Sequence, residues 1–344
     1  TGKYLPSNSV AGNGTTGNAS KGNNFNTTRM FEATAQYTNE IKSHAFTILA
    51  GYAYQDFVSE SFGASNTYFP TDDFLYNNLG LGEGLNNLTN GGSKDGIGMS
   101  SWKEEWKLAS VFGRINYNYD QRYFLNASIR AEGSSKFGAN NRWGYFPAVS
   151  ASWLITNEDF MRGQEVVDDL KLRAGYGITG QQNLYSDYMG LMLYSLSKEY
   201  ADYTFGEIDP ETGDYIYYQS ARPQEYNFDL TWEKTTTYNV GIDFGFLNNR
   251  ITGNLDYYYR YTTDLISKVD VPMGTNFKNQ VYSNIGSLSN QGVEVMLNGV
   301  AIDNKNLKWD MGLNFTYNIN KIEDLTSGQG ENYFVTTGGV SSGT

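Results

Sequence analysis

The chain has no cysteine and a single histidine, His44. Those two shortages exclude a disulfide framework, a Cys-ligated zinc, a thiol nucleophile and any metal site built from several imidazoles. Proline is also scarce, at 6 of 344 residues against 38 glycines, so turns are plentiful without the stiffness of a proline-rich linker. Charged residues reach only 18%, below the roughly 25% of an average soluble domain. Cations are the scarcer sign, 25 against 37 acids, and the net charge of -12 argues against nucleic acid, whose binding needs clustered Lys and Arg. No apolar run reaches about 18 residues, so no helix here reads as membrane-spanning, although strands remain able to cross.

Aromatic residues are abundant instead, at 15% with 28 Tyr, which excludes a disordered chain because disorder requires too little apolar area to offset ordering entropy. The length suits two domains or one large all-β unit. The dominant period is two. Over residues 236–246, Thr236, Tyr238, Val240, Ile242, Phe244 and Phe246 alternate with Thr237, Asn239, Gly241, Asp243 and Gly245. After the turn at 247–250, Ile251, Leu255, Tyr257, Tyr259 and Tyr261 alternate with Thr252, Asn254, Asp256 and Arg260, which predicts a long hairpin. The same reading pairs residues 29–37 with 44–55, 106–119 with 123–132, 148–155 with 170–177, and 293–302 with 309–319, about ten strands in all. A helical turn is expected near residues 158–162. Phe112 breaks the alternation of its strand. Residues 1–26 and 327–344 read as surface loops and as cuts through a longer chain.

Two features separate this pattern from a soluble sandwich. Many runs exceed the 5 or 6 residues usual in soluble strands and approach the roughly 9 to 11 of a tilted membrane strand. The links are also unequal: brief turns on one side and long segments at 56–101, 133–146, 178–229 and 267–283 on the other, as in outer-membrane barrels. Arg114, Arg130, Lys171, Arg173, Asp243, Asp256 and Arg260 all fall on the polar parity, where a charge avoids the cost of meeting lipid. Tyr117, Tyr119, Tyr259 and Tyr261 stand where an interfacial aromatic girdle would lie. The competing reading is a soluble β-sheet with tyrosines on its face.

Several segments resemble the SusC/RagA-type TonB-dependent transporters of the Bacteroidota outer membrane: GYFPAVSASWLITNEDFM (144–161), DLKLRAGYGITGQQ (169–182), the long hairpin 230–266, and NIGSLSNQGVEV (284–295), in the family's order. The resemblance covers most of residues 102–325. It implies an all-β fold, an antiparallel transmembrane barrel of about 22 strands filled by a plug. This chain would be a middle portion of that barrel, with the plug and the remaining strands outside it. It further implies import of oligosaccharides or peptides without catalysis, energy from the TonB complex through the missing N-terminal region, a SusD-like surface lipoprotein as partner, and outer-membrane lipid around the wall. A passive barrel or surface adhesin and a soluble β-rich glycan-binding protein are the alternatives.

The loop 178–229 carries nine acids against Lys198 and Arg222, a net of -7 within the chain's -12. Its aromatic residues Tyr203, Phe205, Tyr215, Tyr217 and Tyr218 are the candidate substrate platform, with rings stacking on a ligand. Alternatively they pack their own hairpin around a turn at 209–214. No cofactor is expected beyond a structural calcium ion in the acidic loops. Ser195 and Lys198 match S-x-x-K, a motif that needs a helix and partner motifs missing here. Gly80, Gly82 and Gly84 lack the strand and helix of a phosphate cradle. The adjacent carboxylates Asp72/Asp73, Glu104/Glu105 and Asp168/Asp169 would point to opposite faces of a strand, and Asp168 and Asp169 are expected in a turn. His44 reads as a turn or interface residue.

Overall fold

A computed structural model of the chain describes residues 2–5, 17–84, 97–184, 186–196, 203–218 and 220–324. Its strands are β1 (Gly2–Leu5), β2 (Gly17–Ile41), β3 (His44–Phe69), β4 (Gly98–Tyr119), β5 (Tyr123–Ser134), β6 (Trp143–Leu154), β7 (Val167–Gln181), β8 (Tyr194–Leu196), β9 (Tyr203–Ile208), β10 (Tyr215–Tyr218), β11 (Ala221–Pro223), β12 (Glu233–Phe246), β13 (Ile251–Thr263), β14 (Ile266–Asp270), β15 (Gln280–Asn284), β16 (Ser287–Asp303) and β17 (Lys308–Asp324). Eleven form one sheet in the order β1-β2-β3-β4-β5-β6-β7-β12-β13-β16-β17, and the rest make three small two-stranded sheets. Every expected strand is present, in the expected order. The contacts divide the chain into two compact units.

The first unit, within residues 1–31 and 55–107, corrects two expectations. Residues 1–26 are not simply a loop: β1 pairs with the start of β2, Gly2 opposite Lys21 and Leu5 opposite Asn18. The link expected at 56–101 is shortened from both ends, because β3 continues to Phe69 and β4 begins at Gly98. Cross-strand contacts hold these extensions. Arg29 pairs with Asp56, Ser59 Oγ donates to Asn26 Oδ1 at 2.6 Å, and Phe57 stacks on Trp106 at 5.4 Å. Asn66 Nδ2 donates to Leu79 O and Gly82 O, so the Gly80–Gly84 stretch is tied to β3 as a turn.

In the second unit, residues 32–54 and 108–324, the register sorts side chains into rows. One row runs Leu125, Ala151, Ala174, Val240, Tyr257, Val293, Tyr317, and the next Tyr123, Trp153, Leu172, Ile242, Leu255, Val295, Phe315. The adjacent rows on the opposite face run Asn116, Asn126, Ser150, Gly175, Asn239, then Ser152, Arg173, Gly241, Asp256, Glu294, Thr316. The apolar rows are open rather than enclosed: Val240 is 57% exposed, Leu255 44% and Leu313 59%. A soluble sheet would bury that face. On β17, six apolar residues from Trp309 to Ile319 alternate with polar ones or Gly312 and so share one face, matching the roughly 9 to 11 residues a tilted strand needs to cross hydrocarbon.

Phe112, the exception to the alternation, has a local reason. Its ring lies on Gly51, where a Cβ would collide with it, and the Arg130 guanidinium stands 5.3 Å from its centroid. The aromatic ring thus fills the space a glycine leaves on the polar face. The brief turns lie at 42–43, 120–122, 247–250 and 304–307, and several use left-handed backbone: Asp120 and Gln121 at φ 52° and 53°, Leu247, Asn248 and Asn249 near 57°. Asn and Asp tolerate that region better than most side chains. The helical turn expected near 158–162 is a pair of 3-10 turns, Ile155–Asn157 and Asp159–Met161. Asp168 and Asp169 are not in a turn. They begin β7, where Asp168 Oδ2 accepts from Asn249 N–H and Asp169 lies opposite Gly245.

Candidate functional site

The polar face of the wall is organised around Arg173. Its Nε and Nη2 donate to the two carboxylate oxygens of Asp243, each at 2.8 Å, and Nη2 also reaches Asp256 Oδ2 at 3.0 Å. Gly241 lies between them, and a Cβ there would collide with Asp256 Oδ1 and the Arg173 guanidinium, so glycine is what lets three strands share one ion network. Beside it a depression of about 580 Å³ is lined by Asn116, Asn118, Asn126, Ser150, Ser152 and Asn239. Asn126 Nδ2 donates to Asn116 Oδ1 at 2.6 Å. Amides and hydroxyls of this kind offer donors and acceptors to a polar solute without fixing its charge.

At the short-turn end, aromatic rings step from His44 to Tyr119 at 4.9 Å, Tyr119 to Tyr123 at 6.3 Å and Tyr123 to Trp153 at 6.3 Å. His44 Nδ1 is 2.7 Å from Tyr117 Oη, and the lone histidine opens β3 directly after the turn at 42–43. Glu158 closes this end. It accepts from Tyr123 Oη at 2.6 Å, Trp153 Nε1 at 2.9 Å and Arg122 Nη1 at 3.1 Å. The Tyr123 hydrogen bond first, then Trp153 and Arg122, hold its carboxyl below the usual glutamate range.

The long-loop end has the conventional core. Phe137, Phe146, Leu230 and Trp232 are buried together, with Trp232 at 5.0 Å from Phe137 and 5.3 Å from Phe146. Trp232 Nε1 donates to Arg142 O and Asn141 Nδ2 to Asp229 O, both at 2.9 Å. Lys136 and Asp187 form an ion pair at 2.8 Å with little exposure. The link after β5, expected over 133–146 and observed over 135–142, therefore braces the long segment between β7 and β12.

From that braced base the β9–β10 hairpin carries the five candidate aromatics. Tyr203 begins β9 opposite Tyr218, and its side chain lies outside the described residues. Phe205 and Tyr218 are in contact at 5.6 Å, and the Tyr218 hydroxyl donates to Glu207, which raises the phenol above its ordinary value. Tyr217 lies opposite Thr204 and Tyr215 opposite Ile208, with an irregular register between them at Gly206, whose φ is +82°. Phe205, Tyr215 and Tyr217 are mostly exposed, so the rings do not form a packed core of their own. The turn falls at 209–214: Asp209 Oδ1 accepts from Glu211 N and Gly213 N donates to Asp209 O. Ser195 lies on β8, a strand paired with β11, and Lys198 lies outside the described residues. Among the described residues no group of three His, Asp or Glu is arranged to hold a metal ion.

Sequence reasoning treated 267–283 as a plain link and missed the β14–β15 hairpin. The signal was present in Pro272-Met273-Gly274-Thr275, a turn with Gly274 at φ +85° and Thr275 N donating to Pro272 O.

An open antiparallel sheet with a bare apolar face, a polar face carrying ion pairs, and brief turns opposite long braced loops is the wall of a membrane barrel. Residues 2–340 match the family model described as TonB dependent receptor-like, beta-barrel. The chain belongs to that family. The TonB-dependent receptor SusC of Bacteroides thetaiotaomicron is 47% identical over 231 residues, 67% of this chain and 22% of that protein. The TonB-dependent receptor P26 of Formosa agariphila is 35% identical over 297 residues, 86% of this chain and 28% of that protein. Among solved structures, that of the RagAB peptide transporter superposes with a TM-score of 0.79 at 27% identity, covering 94% of this chain and 33% of that one. This TonB-dependent receptor barrel is thus of the SusC/RagA type and resides in the outer membrane, with its short turns at the periplasmic side by the rule for such barrels. The chain spans a minority of the length of the relatives it matches.

Proposed function

We propose that these strands are part of the wall of a larger, plug-filled barrel that actively imports oligosaccharides or peptides. Energy would come from the TonB complex acting through an N-terminal region, and a SusD-like surface lipoprotein would cap the long-loop end. The observation that carries this reading is the separation of rows: apolar side chains exposed on one face, Asn, Ser, Arg173, Asp243 and Asp256 on the other. Such a wall suits hydrocarbon outside and a hydrated path within. The names of the relatives support import: one is a TonB-dependent receptor, the other a peptide transporter. The β9–β10 rings serve as an outer contact for substrate, and the protein performs no chemistry on it.

The test uses the full-length protein in cells. Uptake of labelled oligosaccharides and peptides should stop when TonB is removed and resume when it is restored. Uptake that continues without TonB would make the barrel a passive pore, and surface binding without uptake would make it an adhesin.

A further inference from the structure

The long-loop end holds a second recess that shares no lining residue with the β9–β10 hairpin. About 280 Å³ is enclosed between residues 186–193, residues 224–227 and the β14–β15 hairpin. Tyr188, Tyr226 and Tyr282 bring rings to it, and Lys268 brings a cation. Its walls are tied together: Gln224 N donates to Leu193 O at 2.7 Å, Asn227 Nδ2 to Tyr282 O at 2.8 Å, and Asn276 Nδ2 to Tyr226 O at 3.0 Å.

Two lysines stand near this recess in different states. Lys278 is paired with Glu225, a lining carboxylate, and is neutralised there. Lys268 has no carboxylate within 4.0 Å among the described residues, although it acts on Glu225 across the recess. Its Nζ lies 5.9 Å from the centre of the Tyr282 ring, and the two residues are direct partners across the β14–β15 pair. Strand pairing therefore holds the ammonium beside a ring that attracts it, with no carboxylate within 4.0 Å of it among the described residues. Glu225, which lines the same recess, feels the charge of Lys268 but is already paired with Lys278, and exposed acids farther off are screened beyond about 8 Å at physiological salt.

We propose that this recess binds the carboxylate of an acidic oligomer, with Lys268 as the partner of the anion and the tyrosine rings against the flat faces of the chain that carries it. The inference rests on the importer reading and narrows its substrate class. A neutral oligomer would satisfy the rings but leave the ammonium to water, whereas a carboxylate completes a charge-assisted contact already in position. The anion has two sources, a uronic-acid sugar or an acidic peptide, and the choice of probes separates them.

Calorimetric titration of the full-length protein in detergent provides the test, with trigalacturonate against its methyl ester and triglutamate against triglutamine. One acidic probe should bind about tenfold or more tighter than its neutral counterpart. Which pair shows the difference identifies the source. Lys268→Gln should erase the preference and Lys268→Arg should retain most of it, with both variants melting like the parent. Equal binding of acidic and neutral forms, no binding of any probe, or a preference that survives Lys268→Gln would overturn the proposal. TonB-dependent uptake of neutral oligomers remains the separate measure of the importer reading, and it stands if only the recess is wrong.

Discussion

Two regions of the second unit obey opposite rules of burial. In the wall, Val240, Leu255, Leu313 and Phe315 are exposed while charges crowd the other face. At the long-loop end, Trp232 and Leu230 are almost wholly enclosed, and the Lys136–Asp187 ion pair has little exposure. Both regions are rich in aromatics and glycine, so composition does not distinguish them. What differs is the solvent each was built to meet: lipid removes the apolar rows of the wall from water, and the loops, surrounded by water, must enclose their own apolar residues.

Substitutions can break that contrast. The largest effect is expected at Trp232, where Trp232→Ala should cost about 3–5 kcal/mol through the cavity it leaves and the lost bond to Arg142 O. Limited proteolysis should then cut the loops while the wall stays intact; simultaneous loss of both would mean that the two regions are not separable. Next is Val240→Arg, between Ala174 and Tyr257 on the lipid-facing row, expected to cost about 2–4 kcal/mol in a urea titration in liposomes. Its neighbour Asn239→Arg, on the hydrated face, should cost much less, and equal costs would refute the assignment of faces.

Smaller effects sharpen the picture within each region. Arg173→Met leaves Asp243 and Asp256 facing each other without their shared cation, for which about 1–3 kcal/mol is expected, nearer the low end on a wet face. The same substitution in an Asp243→Asn, Asp256→Asn background should cost less still. At the periplasmic side, Glu158 has a folded-state affinity for protons below its unfolded one. Its contribution is therefore present above the ordinary glutamate range and lost as pH falls through that range and below it. Thermal melting across that window should show a decline that Glu158→Gln removes. Smallest is the β9–β10 hairpin: Tyr217→Ala and Tyr218→Ala should each weaken uptake severalfold with the barrel unchanged, as lost ring contacts of about 0.5–1.5 kcal/mol would. Normal uptake in both variants would retire that platform.

The wall was the more legible region. Alternation over residues 236–246 and 251–261 located a hairpin whose register pairs Phe246 with Ile251 and Thr236 with Tyr261, because a period of two is a local property of the chain. Where side chains lacked that contrast, reading failed. The polar stretch 17–28 gave no alternation to follow, yet it belongs to β2, since cross-strand partners rather than its own pattern keep it extended. Of the candidate site, the turn at 209–214 was legible from Asp209, Pro210 and Gly213, whereas the recess around Lys268 was not, being assembled from three segments distant in sequence.

Local chemistry along the chain was enough to establish strands, the two faces of each, the brief turns and the unequal loops, because each depends on neighbours within a few residues. Tertiary structure alone decided that Arg173 would reach across Gly241 to Asp256, that Trp232 would meet Phe137 and Phe146, and that Lys268 would line one recess with Tyr188 and Tyr226. Those contacts join residues far apart in the chain, and which of many compatible partners meet is fixed only when register and loop packing close together.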